Sequence, residues 1–232
     1  REHEDRPRRR SVERGEGHAG EAQAGGQSLA IDLEGVSGQR AGAQGADARA
    51  FGDIKQARAV PLERPEVGHQ PMAEEHRLSL LDGYERCYDE ISRECDISRN
   101  GYRLPSAQEW EYACRGGLAT AYHSGDTVHD LARAGWYAGN SDGTTHDVRT
   151  LEDNAYHLAD MHGNVAEWCS DVLVDGRWYD GEGIPPAGES MERAVMGGSW
   201  ATVDPDSLRC DALSSAPPDS SFVTVGFRIV RR

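Results

Sequence analysis

Lysine is almost missing from this chain: Lys55 stands alone, and the remaining positive charge is arginine. Forty acidic residues face 25 basic ones, for a formal net charge of -15. Without clustered cations to meet phosphates, nucleic acid is excluded as a general partner. No apolar run approaches the roughly 20 residues needed to cross a bilayer, and no charged start leads into an apolar stretch. The sequence therefore predicts neither a membrane span nor an export signal, and leaves the compartment open. The five cysteines, Cys87, Cys95, Cys114, Cys169 and Cys210, are odd in number and lack C-x-x-C spacing. That excludes a zinc ribbon and a thioredoxin-like motif. The cysteines read as buried free thiols, with a local disulfide between Cys87 and Cys95 as the alternative in an oxidising compartment.

Residues 1–76 lack Tyr, Trp, Cys, Asn and Thr altogether and are rich in Arg, Gly, Ala, Glu and Gln. With so little aromatic and branched surface to bury, the segment cannot offset its chain entropy. The expectation is an extension over 1–77 that is disordered, or non-native if the reading starts out of frame, followed by one domain over 78–232. Two short apolar patches, Leu29 to Leu33 and Ala59 to Leu62, have no identifiable partner.

Beyond Leu78 the composition changes, and all five tryptophans follow: Trp110, Trp136, Trp168, Trp178 and Trp200. Ser106 and Glu109 have capping-box spacing, which predicts a helix over Ala107 to Arg115 stopped by Gly116-Gly117. On it Trp110, Ala113 and Cys114 share a face. Residues Ser124 to Asp130 read as a loop, and most of the rest as short strands and long loops pinned by tryptophans. The stretch Asn154 to Asp171 follows neither helical nor strand periodicity at its centre, Gly163-Asn164-Val165-Ala166-Glu167-Trp168. It reads as a turn feeding a short strand, with Trp168 as a buried anchor. Asn164 and Glu167 could offer oxygen to a hard cation such as calcium. Equally, Asn164 could cap a turn and Glu167 pair with an arginine. Val195 to Trp200 and Val225 to Val230 read as two strands able to pair across the loop 201–224. So long a loop without structure of its own is the first place to look for recognition.

Four ordered blocks, YRLPSAQEWEYACRGG (102–117), NAYHLADMHGNVAEWCSD (154–171), VMGGSW (195–200) and VGFRIVRR (225–232), resemble the formylglycine-generating-enzyme/sulfatase-modifying-factor family. The resemblance covers roughly residues 84–232. It implies an α+β fold, a C-type lectin-like (FGE-sulfatase) variant with short strands, few helices and much irregular loop. Catalytic members of that family use a cysteine pair after the GGS[WF] motif to hold copper. Here the equivalent positions fall at about Thr202 and Ser207, and Cys210 stands alone in its segment with no histidine to activate it. One thiolate cannot supply the paired soft ligands of copper(I), so no copper is expected and the chain is expected not to be an enzyme. An iron-dependent branch needs a histidine triad. His123, His129, His146, His157 and His162 show no helical i, i+4 pairing and are expected to be exposed or locally hydrogen-bonded. The resemblance strengthens Asn164 and Glu167 as ligands of a structural calcium, with a weaker second site at Asn140, Ser141 and Asp142.

The loop 201–224 contains no Lys, Glu, Gln, Met or Trp, so every residue in it can be written with a pyrimidine-ending codon. This resembles the variable region of diversity-generating retroelement target proteins, a branch of the same family in which adenine-directed mutagenesis varies positions between GGSW and GFR. The resemblance implies a noncatalytic ligand-binding protein. Its varied surface would comprise Ala201, Thr202, Val203, Asp204, Ser207, Ala212, Leu213, Ser214, Ser215, Ala216, Ser220, Ser221, Phe222, Val223 and Thr224, facing a protein or cell-surface ligand. An ordinary surface loop of small polar residues is the plain alternative. A formylglycine-generating-type oxidoreductase, or its accessory protein, is the competing function.

Overall fold

Helix α1 (Pro71–Leu81) crosses the boundary expected between residues 77 and 78. In this computed structural model residues 71–89, 95–179, 191–218, 220 and 222–231 are described. The disorder expected of the leading segment, with its two apolar patches, falls outside them over residues 1–70. Ser79 on α1 donates its hydroxyl to the Glu75 carbonyl and accepts from the Tyr102 amide at 2.8 Å. Leu78 packs against the cluster of Tyr102, Leu104 and Trp168. These contacts make α1 part of the domain.

Helix α2 (Ala107–Arg115) begins and ends as its sequence demands. Ser106 and Glu109 close the capping box, and Gly116 ends the helix in the left-handed region at φ 57°. Trp110, Ala113 and Cys114 form the buried face. Where a loop was expected at Ser124 to Asp130, helix α3 (Val128–Ala134) starts instead. Thr127 and Asp130 make a second capping box there, and Leu131 and Ala134, three residues apart, supply an apolar stripe too short to stand out as a period.

Two short parallel strands, β1 (Gly135–Trp136) and β2 (His162–Gly163), then bring distant segments together. Gly163 is obligatory in that pairing: a Cβ there would sit 1.9 Å from the Trp136 carbonyl oxygen. The turn that follows holds Asn164 at φ 58° and delivers the chain into β3 (Ala166–Val174).

Strand β3 is the spine of the sheet. Along one edge it pairs antiparallel with β5 (Met191–Met196). It also pairs antiparallel with β4 (Arg177–Tyr179), the strand between them in sequence, and parallel with β7 (Val225–Phe227). The strands expected to pair across the loop therefore do not meet: β5 and β7 are both partners of β3. The loop between them also has structure, a 3-10 turn at Pro205–Leu208 and strand β6 (Leu213–Ala216), which pairs antiparallel with β5. A long central strand that presents two edges leaves no reason for its neighbours to pair with each other.

Along β3 and β5 alternate residues point to opposite sides of the sheet, and both sides are packed. Cys169, Ala194 and Met196 face α2 and pack with Trp110, Cys114, Met161 and Cys210. Ala166, Trp168 and Val195 face the other way, toward Tyr102, Leu104, Phe227 and Ile229. Trp110 and Trp168 are buried as expected of anchors, whereas Trp178 is 41% exposed. No helix among the described residues is long and apolar enough to cross a membrane.

Candidate functional site

Of the loop 201–224, the residues that turn inward are few. Leu208 and Cys210 are buried at 0% exposure, while every described residue of the proposed varied set is exposed or half-buried. Ser221 of that set lies outside the described residues. The division follows from the 3-10 turn: Pro205 opens it, the Asp204 side chain caps it by accepting from the Asp206 amide, and Leu208 is driven into a pocket with Ala121, Tyr122, Leu131 and Tyr137.

An open groove of about 420 Å³ runs between this turn and β6. Thr202 and Ser207 contribute hydroxyls, Leu213 and Phe222 apolar surface, and Ala166, Val195 and Gly198 come from the scaffold. The structure thus brings nine of the 15 proposed positions, namely Thr202, Ser207, Leu213, Phe222, Thr224 and the run Ala212, Ser214, Ser215 and Ala216, to one concavity. Ala201, Val203, Asp204, Ser220 and Val223 are not among its lining. Val195 and Gly198 adjoin the loop in the VMGGSW block, whereas Ala166, on β3, could not have been found from the loop.

Two hydroxyls stand where the family's catalytic members carry thiols. The Thr202 hydroxyl accepts from the Ser199 amide at 2.9 Å, and Ser207 lines the groove. Hydroxyl oxygens do not fit copper(I), which selects soft sulfur donors, so no redox step is derived from this pair.

The Asn164 and Glu167 side chains are committed inside the protein. Glu167, 1% exposed, pairs with Arg228: Arg228 Nη2 donates to Oε1 at 2.7 Å and Nε donates to Oε2. Trp110 Nε1 donates to the same Oε2 at 2.6 Å. This is the arginine alternative read from the sequence: internal donors reach both carboxylate oxygens of Glu167. Asn164, 3% exposed, accepts from the His146 amide and donates to the His146 carbonyl, both at 3.1 Å. It holds a turn, and its backbone carbonyl accepts from Trp200. Asn140 and Ser141 are likewise turned to internal partners, Asn140 to Tyr137 and Gly135, Ser141 to the Trp200 carbonyl.

The expected isolation of Cys210 is overturned. Cys114 Sγ donates to Cys210 Sγ across 3.1 Å, with both residues fully buried. His162, also fully buried, lies 3.7 Å away through Nε2. Cys210 is drawn down to about 5 by the Cys114 S–H bond and by His162, while burial raises Cys114. Nor are His123 and His162 exposed: their rings stack at 4.8 Å between centroids, and burial lowers His123 to about 4. No spacing in the sequence signals this cluster, because its members come from α2, β2 and the loop. Cys87 and Cys169 are buried free thiols, and Cys95 is a half-buried one.

Comparison with known proteins agrees with this architecture. Residues 46–232 match the sulfatase-modifying factor enzyme 1-like domain, a match that starts upstream of residue 78. The formylglycine-generating enzyme of Streptomyces coelicolor is 36% identical over 146 residues, covering 55% of this chain and 46% of that protein. Serine/threonine-protein kinase pkn1 of Chlamydia pneumoniae is 33% identical over 142 residues, covering 56% and 21%. The chain spans about half or less of these relatives. Among solved structures, Treponema denticola variable protein 1 superposes with a TM-score of 0.61 at 27% identity, over 73% of this chain and 71% of that one. CarF superposes at 0.57 with 21% identity over 71% of this chain and 66% of that one, a likeness of fold alone. With its matched length, its α+β architecture and its ordered motifs, this chain belongs to the FGE-sulfatase family, in the C-type lectin-like fold.

Proposed function

We propose that this protein is a noncatalytic ligand-binding member of the family, and that residues 201–224 form a diversified surface toward a protein or cell-surface ligand. The observation that carries the reading is the split within one loop. Positions assigned to the varied set are open to solvent, and Leu208 and Cys210, outside the set, are the ones built into the core. A surface that must accept many side chains needs this arrangement, because substitutions at exposed positions change stability little. The groove suits such use: a rigid sheet holds small polar residues and one aromatic, Phe222, much as a framework holds binding loops. The likeness to a protein named as variable supports the same reading.

The alternative, an oxidase of the formylglycine-generating type, is favoured by the curated relatives but not by the groove, where Thr202 and Ser207 replace the thiols. Two experiments test the proposal. The DNA beside the gene is expected to hold a near-copy of the codons for 196–228, with adenines at the varied positions, next to a reverse transcriptase. Its absence overturns diversification. Copper-dependent oxygen consumption with a cysteine-containing peptide is expected to be nil, and sustained turnover overturns the noncatalytic reading.

A further inference from the structure

Strand β6 ends the sheet order β4-β3-β5-β6: it pairs with β5 on one side, and on the other no strand lies against it among the described residues. Beyond that ladder, Leu213–Ala216 make no backbone hydrogen bond among the described residues, and all four line the groove. Resting on the ligand-binding reading above, we infer that the ligand is held as an added strand: an extended, basic segment of a partner protein pairs its backbone with the free edge of β6.

In an antiparallel pair only every second residue turns its N–H and C=O toward the partner, so β6 offers the alternate groups outward as donors and acceptors at strand spacing. Edge strands are ordinarily blunted by a charged side chain, a proline or a bulge. Leu213-Ser214-Ser215-Ala216 has none of these, and its register with β5 is unbroken from Ala216 opposite Arg193 to Leu213 opposite Met196. Pro217 and Pro218 follow at once and stop the pairing from running on. Shortness is the strand's one protection, and the opening it leaves, about 13 Å at strand rise, is the length of a short peptide segment.

All four residues of β6 belong to the proposed varied set, and this is what makes main-chain pairing useful there. A contact made by a varied side chain is lost when that side chain changes, whereas the backbone N–H and C=O persist through every substitution except proline. Strand addition therefore supplies affinity common to all versions of the surface, and the side chains of β6, with Thr202, Ser207 and Phe222 in the groove, supply selection. The template is held still by its neighbour: β5 carries Ala194, Val195 and Met196 buried in the two core clusters.

Charge selects the occupant. Asp206 is the one charged residue lining the groove, it lies outside the varied set, and its carboxylate has no ion pair among the described residues. Asp211, just before β6, is already matched by Arg209 and Arg115. A second copy of this chain, joined edge to edge about a two-fold axis, would place two uncompensated Asp206 carboxylates along one interface, between chains each of formal net charge -15. A segment carrying arginine or lysine instead meets the groove's constant charge and is drawn in by the field of the whole chain.

The test selects binders of the full chain from a displayed library of random dodecapeptides and then uses the synthetic peptides. They are expected to be enriched in arginine and lysine, and to slow the exchange of the outward amides of residues 213–216 in NMR. Methylating alternate peptide nitrogens is expected to show a period of two: one phase lowers affinity by about 10-fold or more, because those N–H groups face β6, and the other leaves it within about 2-fold. Asp206→Asn is expected to weaken binding by about 2- to 5-fold, a gap that closes in high salt. Peptides that perturb residues 201–224 without protecting β6, or that respond equally to both phases, overturn strand addition and leave ligand binding by the loop standing. Selected peptides that are not basic, or a free chain that sediments as a dimer with its β6 amides already protected, overturn the assigned partner. Binders that touch only other surfaces, or no binder at all, overturn the ligand-binding reading along with the inference.

Discussion

Arg228 and Glu167 form an ion pair with both side chains at least 96% shielded from solvent, tying the segment after β7 to the start of β3. Trp110 from α2 completes the arrangement by donating to the same carboxylate. The motifs GNVAEW and GFR, 61 residues apart, are therefore two halves of one interaction. Removing one partner strands a buried charge, which costs about 3–5 kcal/mol. Glu167→Ala and Arg228→Ala are each expected to lower stability by that order in chemical denaturation. The double variant is expected to lose much less than the sum of the two, and strict additivity would show that the pair is not coupled.

Calcium is expected to have no effect on thermal stability through Glu167. Its two oxygens are taken by Arg228 and Trp110, and the Asn164 amide by both backbone groups of His146. Differential scanning calorimetry with calcium and with a chelator should give the same Tm. A clear rise with calcium would mean that a hard cation finds another set of oxygens in this fold.

Within the loop, neighbouring residues should respond in opposite ways. Changes at Ser207, Leu213 or Phe222 are expected to shift stability by no more than about 0.5 kcal/mol, because these side chains line an open groove. Leu208→Ala, one residue beyond Ser207, is expected to cost about 2–5 kcal/mol by leaving a cavity among Ala121, Tyr122, Leu131 and Tyr137. Urea unfolding of the four variants provides the comparison. Equal losses at Ser207 and Leu208 would remove the distinction between surface and core on which the binding reading depends.

Glu75 is expected to make stability fall with rising pH. Burial without a hydrogen-bond partner for either oxygen raises its carboxyl to about 8 from the ordinary 4.5. The folded state keeps a proton that the unfolded chain gives up, so this contribution is full below about 4.5 and is lost as pH rises through about 8. At about 1.4 kcal/mol per pH unit of displacement, the effect is on the order of a few kcal/mol. Glu75→Gln is expected to gain stability over wild type between pH 5 and pH 9, the gap widening with pH. Parallel curves for the two proteins would show that the carboxyl is not desolvated.

Local chemistry made parts of this protein legible in its sequence. The capping box at Ser106 and Glu109 and the glycine stop at Gly116 are determined by neighbours a few residues apart, so α2 needs no tertiary information. The turn at Gly163 and Asn164 and the anchoring of Trp110 and Trp168 follow from residue type in the same way. The composition of the loop 201–224, without Lys, Glu, Gln, Met or Trp, marks it as a surface apart.

What only the tertiary structure decided are the relationships between segments. Whether Glu167 meets a metal or an arginine depends on where β7 lies, and β7 lies beside β3 because that long strand has an edge to offer. Cys210 looked solitary because its partners, Cys114 and His162, are 96 and 48 residues away from it, brought in by α2 and β2. Short-range preferences fix caps, turns and buried faces. The pairing of one side chain with another far along the chain is set by how the sheet closes, and no local pattern carries that information.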